Sequence, residues 1–77
     1  MKIGTVMGVL QLQKCAPGYE QIQWKQVRFA DQVLVAADIV GANPGDLVLL
    51  AEGPAANGVR MDLRCDALIL GILEKEK

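Results

Sequence analysis

Apolar residues in this chain come in short runs, and nearly every run is closed by glycine, proline, asparagine or aspartate. Runs of about four to eight apolar or alternating residues between such turn signals read as strands. The longest stretch free of charge, residues 3–13, is interrupted by Gly4, Gly8, Gln11 and Gln13, and a membrane-crossing helix needs about 20 apolar residues. The start, Met1-Lys2-Ile3-Gly4-Thr5, lacks the apolar core of a secretory signal. The expectation is a protein of the cytosol with no membrane partner.

The first run, Lys2 to Gln13, alternates. Val6, Leu10 and Leu12 share one face with Gly4 and Gly8, and Ile3, Met7 and Val9 lie on the other. The two glycines predict a bend or a close backbone approach. Pro17-Gly18 marks a loop. In the second run, Gln21 to Phe29, Ile22 and Trp24 share a face while Val27 and Phe29 take the opposite one, which predicts a bulge or an edge near Trp24. A tight turn at Asp31-Gln32 leads into Val33 to Ala37, a continuous apolar strand of the kind buried on both sides. Asn43-Pro44-Gly45-Asp46 has the residues of a type II turn. Leu47 to Ala51 is a fourth strand and Ala67 to Leu73 the last. Between them, Pro54 to Gly58 fits one short helical turn, with proline at its start and glycine past its end.

The fold class expected is therefore all-β: a small five-stranded, OB-like barrel formed by one domain over residues 1–77, in which closure removes exposed strand edges. A chain of 77 residues has little interior, since a domain near that size buries only about 60% of its unfolded surface. Yet Ala, Val, Ile, Leu, Met, Phe, Trp, Tyr and Cys make up 52% of it, and 8 glycines come on top, against a usual share of about 45–50% with glycine included. The excess apolar surface must face something other than water, and a partner subunit is the expected answer.

Chemistry is scarce. The chain has no histidine and no serine, and Thr5 is its single threonine. Ser-His nucleophilic catalysis and the common metal-ligand sets are thereby removed, and no cofactor, metal or catalytic residue is expected. Cys15 and Cys65 lack any CxxC spacing and are expected to be plain buried thiols. Asp38 and Asp66 border apolar strands and are the best candidates for a paired acid and base; alternatively they satisfy backbone N–H groups at turns. The net charge of −1 provides no basic stripe for phosphates. Tyr19, Trp24 and Phe29 have Lys25 and Arg28 as neighbours, but Lys25 falls on the face of Phe29 and Arg28 on that of Trp24. An oligonucleotide-binding barrel taking single-stranded nucleic acid is therefore the weaker alternative, and nucleic acid is not an expected partner.

The segment Val35-Ala-Ala-Asp38-Ile-Val-Gly41-Ala42-Asn-Pro-Gly45-Asp46-Leu-Val-Leu-Leu-Ala-Glu-Gly53-Pro-Ala-Ala56 resembles the signature of the pentameric shell-vertex proteins of bacterial microcompartments, such as carboxysomes and ethanolamine-utilising compartments. Its core is Asp-x-x-Gly-Ala-x-x-Gly-Asp followed by an apolar run and a glycine. The opening Met1 to Val9 and the ending Asp66 to Leu73 resemble the family as well. The resemblance implies a barrel that forms a homo-pentamer, plugs the corners of a shell built from hexameric tiles, and has a structural rather than enzymatic role. It further implies that Asp38, Gly41, Ala42, Gly45 and Asp46 shape the backbone, and that Gly53, Pro54, Ala55, Ala56 and Asn57 lie near the five-fold axis. Where the family often carries Gly-Ser-x-Ala-Arg, this chain has Gly53-Pro54-Ala55-Ala56-Asn57, without the hydroxyl and the guanidinium.

Overall fold

The computed structural model describes residues 1–53 and 67–74. Five strands follow one another along the chain: β1 (Lys2–Leu10), β2 (Gln23–Phe29), β3 (Gln32–Asp38), β4 (Leu47–Glu52) and β5 (Ala67–Leu73). They close into a barrel in the order β1-β2-β3-β5-β4, with β1 meeting β4. Every neighbouring pair is antiparallel except β3 and β5, which run parallel. The short helical turn expected over Pro54 to Gly58 lies outside the described residues.

Alternation on β1 sorts its side chains. Gly4 and Val6 point into the barrel, while Ile3, Met7 and Val9 stand on its exterior. The strand ends at Leu10 rather than Gln13, where Gln11, Leu12 and Gln13 have no partner strand to pair with among the described residues. The irregularity expected near Trp24 is also displaced. β2 pairs with β3 without interruption from Gln23 to Phe29, and the bulge sits on β1, between Val6 and Gly8. The apolar face of β2 does not switch at a bulge: Lys25 and Val27 both face inward, and Trp24 packs outside.

The interior is aliphatic. Val6, Val27, Ala36, Ala42, Val48, Leu50, Ala67 and Ile69 form its core, with Leu34 packed against it. A second cluster lies on the outer side of the same strands: Ala37, Ala51 and Leu68 are covered by Tyr19, Ile22, Trp24 and Leu70. The Tyr19 and Trp24 rings stack there with centroids 6.5 Å apart. Residues alternating along a strand face opposite sides, so Ala36-Ala37, Leu50-Ala51 and Leu68-Ile69 are buried on both. For β3 the two-sided burial holds only at its end. Val33 and Val35 are 51% and 54% exposed, because the aromatic cover reaches only the Ala37 end. The β2–β3 hairpin turns at Ala30-Asp31, one residue earlier than expected, with Phe29 opposite Gln32. Ala30 has φ 53°, the positive value that a two-residue hairpin turn demands.

Gly4 is the close approach on β1. A Cβ built there would stand 2.6 Å from Val27 Cγ1 and 2.9 Å from the Arg28 carbonyl oxygen, whereas one at Gly8 meets nothing nearer than Gln26 Oε1 at 3.7 Å. Gly4→Ala should therefore cost about 1–3 kcal/mol through overpacking against backbone. Gly8→Ala should stay within about 0.5 kcal/mol. Urea denaturation of the two variants checks the contrast, and equal losses would contradict this packing.

Candidate functional site

The connection from β3 to β4 is built on one carboxylate. Asp38 ends β3 with its side chain fully buried, and its two oxygens accept from four donors. Oδ1 accepts from the backbone N–H of Val40 at 2.9 Å and of Gly41 at 3.0 Å. Oδ2 accepts from Ala42 N at 2.8 Å and from the Lys25 ammonium at 2.6 Å. An aspartate bonding the amides that follow it is a local turn device. Here it satisfies three successive N–H groups at the end of the barrel, where unpaired ones would cost free energy. Lys25 arrives from β2, two residues beyond the Gln23–Asp38 pair, and its Nζ also donates to Gln23 Oε1 at 3.2 Å.

Burial by itself raises the Asp38 carboxyl pKa. The hydrogen bond from Lys25, those from the Val40 and Ala42 amides, and the Lys25 charge outweigh it and hold the group below its ordinary value. The pair is buried, but both carboxylate oxygens accept two hydrogen bonds each and the ammonium donates to Asp38 and Gln23, which offsets the cost of taking the charges out of water.

Gly41, with φ 79°, turns the chain so that Ala42 drops into the core. Asn43 to Asp46 is a type II turn, closed by Asp46 N donating to Asn43 O at 3.0 Å, with Gly45 at φ 93°. Asp46 Oδ2 also accepts from Asn43 N at 2.8 Å. The turn is tied to β1 by an exchange of bonds with Val6: Gly45 N donates to Val6 O at 2.8 Å, and Val6 N to Asp46 O at 2.9 Å. The structure thus brings Asp38, Gly41, Ala42, Gly45 and Asp46 together in one connection. Gly53, at the end of β4, has φ 58°. Pro54, Ala55, Ala56 and Asn57 lie outside the described residues, as do Cys65 and Asp66, so the acid–base pairing of Asp66 with Asp38 falls there too.

Lys25 is the residue that sequence reasoning missed. The signal was present: it shares the inward face of Val27, and a lysine on an inward face requires a buried anion. Its burial and pairing with Asp38 also withdraw it from any role in contacting phosphate. Cys15 departs from expectation as well. It is exposed rather than buried, on the wall of a cleft of about 430 Å³ that also holds Val9, Leu12, Tyr19 and Gly41, because the loop after β1 runs over the surface instead of continuing the strand. Outside the barrel, Ile3, Met7, Val9, Val33, Val35, Ile39, Val40 and Ile72 are all 40% exposed or more. Among the described residues the exterior is thus apolar on several strands at once.

The family profile described as ethanolamine utilisation protein EutN/carboxysome matches residues 1–74. No curated protein matches the sequence. Solved structures do. The CcmL protein of Gloeobacter violaceus is 28% identical and superposes with a TM-score of 0.88, covering 100% of this chain and 89% of its own. The EutN protein of Escherichia coli is 28% identical, with a TM-score of 0.82 over 95% of this chain and 84% of its own. The pentameric shell protein of the RMM microcompartment is 26% identical, with a TM-score of 0.84 over 96% and 91%.

Removing the Asp38 carboxylate would leave three amides unpartnered and the buried Lys25 charge without its counter-ion, so Asp38→Ala should cost about 3–5 kcal/mol. Lys25→Met should cost less, since the carboxylate keeps its three N–H donors. The pKa depression gives a sign. Stability from Asp38 is fully present above its unfolded value of about 3.9 and drains as pH falls through the lower folded value. Urea midpoints measured from pH 6 downward should show this acid-side loss in the wild type and a weaker one in Asp38→Asn. At Gly41 no atom stands within 4 Å of a built Cβ, so the penalty is one of backbone alone. Gly41→Val should cost about 1–3 kcal/mol, and Gly41→Asn clearly less, because asparagine enters this region more readily. Equal thermal shifts for the two would refute the backbone account.

Proposed function

This chain belongs to the EutN/carboxysome family, and from that premise we propose that it is a structural shell protein, not an enzyme, whose pentamers cap the five-fold vertices of a bacterial microcompartment. The observation that carries the reading is the family match over residues 1–74 on a closed five-stranded barrel. A similar barrel of 26% identity is described as a pentameric shell protein.

The physical logic is geometric. A flat lattice of six-fold tiles cannot close, and five-fold units supply the curvature that closes it. A ring of five needs two different surfaces on each subunit, because a self-complementary contact stops at a dimer. The exposed apolar residues on β1, β3 and β5 supply material for such contacts. Their partners are a second copy of the chain and, at the rim of the ring, the hexameric tiles. The whole chain then acts as one vertex unit in the bacterial cytoplasm. In this reading Asp38, Gly41, Ala42, Gly45 and Asp46 act by shaping one rigid connection, and Gly53 to Asn57 lie near the five-fold axis.

The rival reading, single-stranded nucleic-acid binding, loses its main cation to the Asp38 pair and its main aromatic, Trp24, to packing against Ala37, Ala51 and Leu68. Native mass spectrometry of the purified protein should show five copies. Added to the cognate hexameric tiles, it should convert open sheets or tubes into closed shells under the electron microscope. A protein that stays monomeric at high concentration, or tiles that close equally well without it, would defeat the proposal.

A further inference from the structure

The barrel is open where β1 ends. Up to Val6 the strand is bonded on both sides, by β2 on one and by β4 with the Gly45–Asp46 turn on the other. Beyond Val6 only β2 continues among the described residues. The chain just ahead of β4, which would have to extend the pairing, is folded into the Asp38 connection and the type II turn instead. Its departure leaves the cleft of about 430 Å³, with the end of β1 on one wall and Gly41 to Asn43 on another.

Proteins that keep a strand edge solitary put lysine, another charge or proline on it. Met7 to Leu10 carries none of these, and Met7 and Val9 are about half exposed. The cleft floor adds a donor. Lys25 pairs with Val9 across β1 and β2, and both residues line the cleft. The Lys25 ammonium has three N–H groups and two acceptors, Asp38 Oδ2 and Gln23 Oε1, although its side chain is 4% exposed. Gln11, Gln23 and Asn43 also line the cleft, and each carries an amide. An unpaired strand edge with donors and acceptors at short intervals matches a peptide main chain. A concave site of this size takes a few residues of extended chain rather than the side of another barrel. Its charge is one-sided. Of the two charged lining residues, Lys25 is offset by Asp38, whereas Glu20 Oε2 accepts only from Gly18 N, at 3.0 Å.

We propose that this cleft receives an extended segment of a different protein, apolar and carrying a lysine or arginine, which adds as a strand to β1 at Met7 to Leu10. Main-chain bonds to the free edge supply the adhesion. One carbonyl of the segment accepts the third Lys25 N–H, its apolar side chains cover Val9 and Leu12, and its basic side chain meets Glu20. The proposal is independent of how many subunits form the ring.

The test titrates the full chain, in whatever assembly it adopts, into the fluorescein-labelled peptide Thr-Val-Thr-Val-Lys-amide and reads anisotropy. Binding should saturate. Val9→Lys and Leu12→Lys each place a guarding charge at the cleft on a side chain already half in solvent, so both should fold, as circular dichroism checks, and each should weaken binding at least about tenfold. Glu20→Gln should weaken it about threefold at low salt and hardly at all at about 1 M salt, where exposed charges are screened. With peptide bound, amides within residues 7–10 should exchange at least about tenfold more slowly than without it. Absence of saturable binding, or binding that neither lysine variant changes, would overturn the proposal. So would native mass spectrometry in which Val9→Lys breaks the assembly while the wild type ignores the peptide, because a second copy would then fill the cleft.

Discussion

The barrel is held shut at one end by a single buried carboxylate. Asp38 lets an irregular stretch of chain pass through a place where backbone groups have no strand to bond. Three amides and one ammonium converge on it, so the connection costs little in unpaired polar groups despite its burial. Ala42 can then enter the core directly behind the turn, and the following type II turn can bond to Val6 on β1. Three strands are thereby fixed relative to one another: β2 through Lys25, β3 through Asp38 itself, and β1 through Val6. Remove the charge pair and nothing else in the connection compensates.

What this closure makes possible is a very small interior. The largest fully buried side chains are leucine, isoleucine and valine, and all three aromatics stand outside that set. A barrel of five short strands has room for little more, because side chains fill such interiors completely. The remaining apolar residues divide into two groups. One set, with Tyr19, Ile22 and Trp24, covers the outer side of β3, β4 and β5 near Ala37, Ala51 and Leu68. The other set is exposed on β1, β3 and β5. The composition thus has a structural explanation in which the first group finishes the subunit and the second has no use inside it.

Much of this was legible in the residues. Period-two alternation in β1 located Val6 and Val9 on opposite faces, and the apolar runs Leu47 to Ala51 and Ala67 to Leu73 announced β4 and β5 as strands. Asn43-Pro44-Gly45-Asp46 specified its turn because proline and glycine each satisfy a distinct backbone demand. The failures share a cause. Reading Trp24 and Val27 as a face switch presumed that apolar residues mark the inside, whereas Lys25 occupies the inward position and Trp24 lies under an outer cover. The extent of burial along β3 was equally hidden, since it depends on how far the Tyr19–Trp24 loop reaches, a fact of tertiary packing. The exposure of Cys15 belongs to the same class: the run of β1 ends where pairing ends, not where apolar residues do.

Subunit stability and assembly are linked in a chain of this size. A domain that buries so small a core is marginal on its own, and anything that binds only the folded form stabilises it by mass action. For a ring subunit the ligand is its neighbour, so the free energy that holds the fold includes the contacts between copies. The Asp38 turn and the exposed strands are then coupled although they do not touch. A lesion at the turn lowers the concentration of folded subunits available to associate, and a lesion on the exterior withdraws the neighbour that stabilises the turn. The two differ in their dependence on protein concentration. Loss at the turn persists when subunits are concentrated, whereas loss of an outer contact shifts the midpoint of assembly while leaving the dilute subunit's own unfolding unchanged.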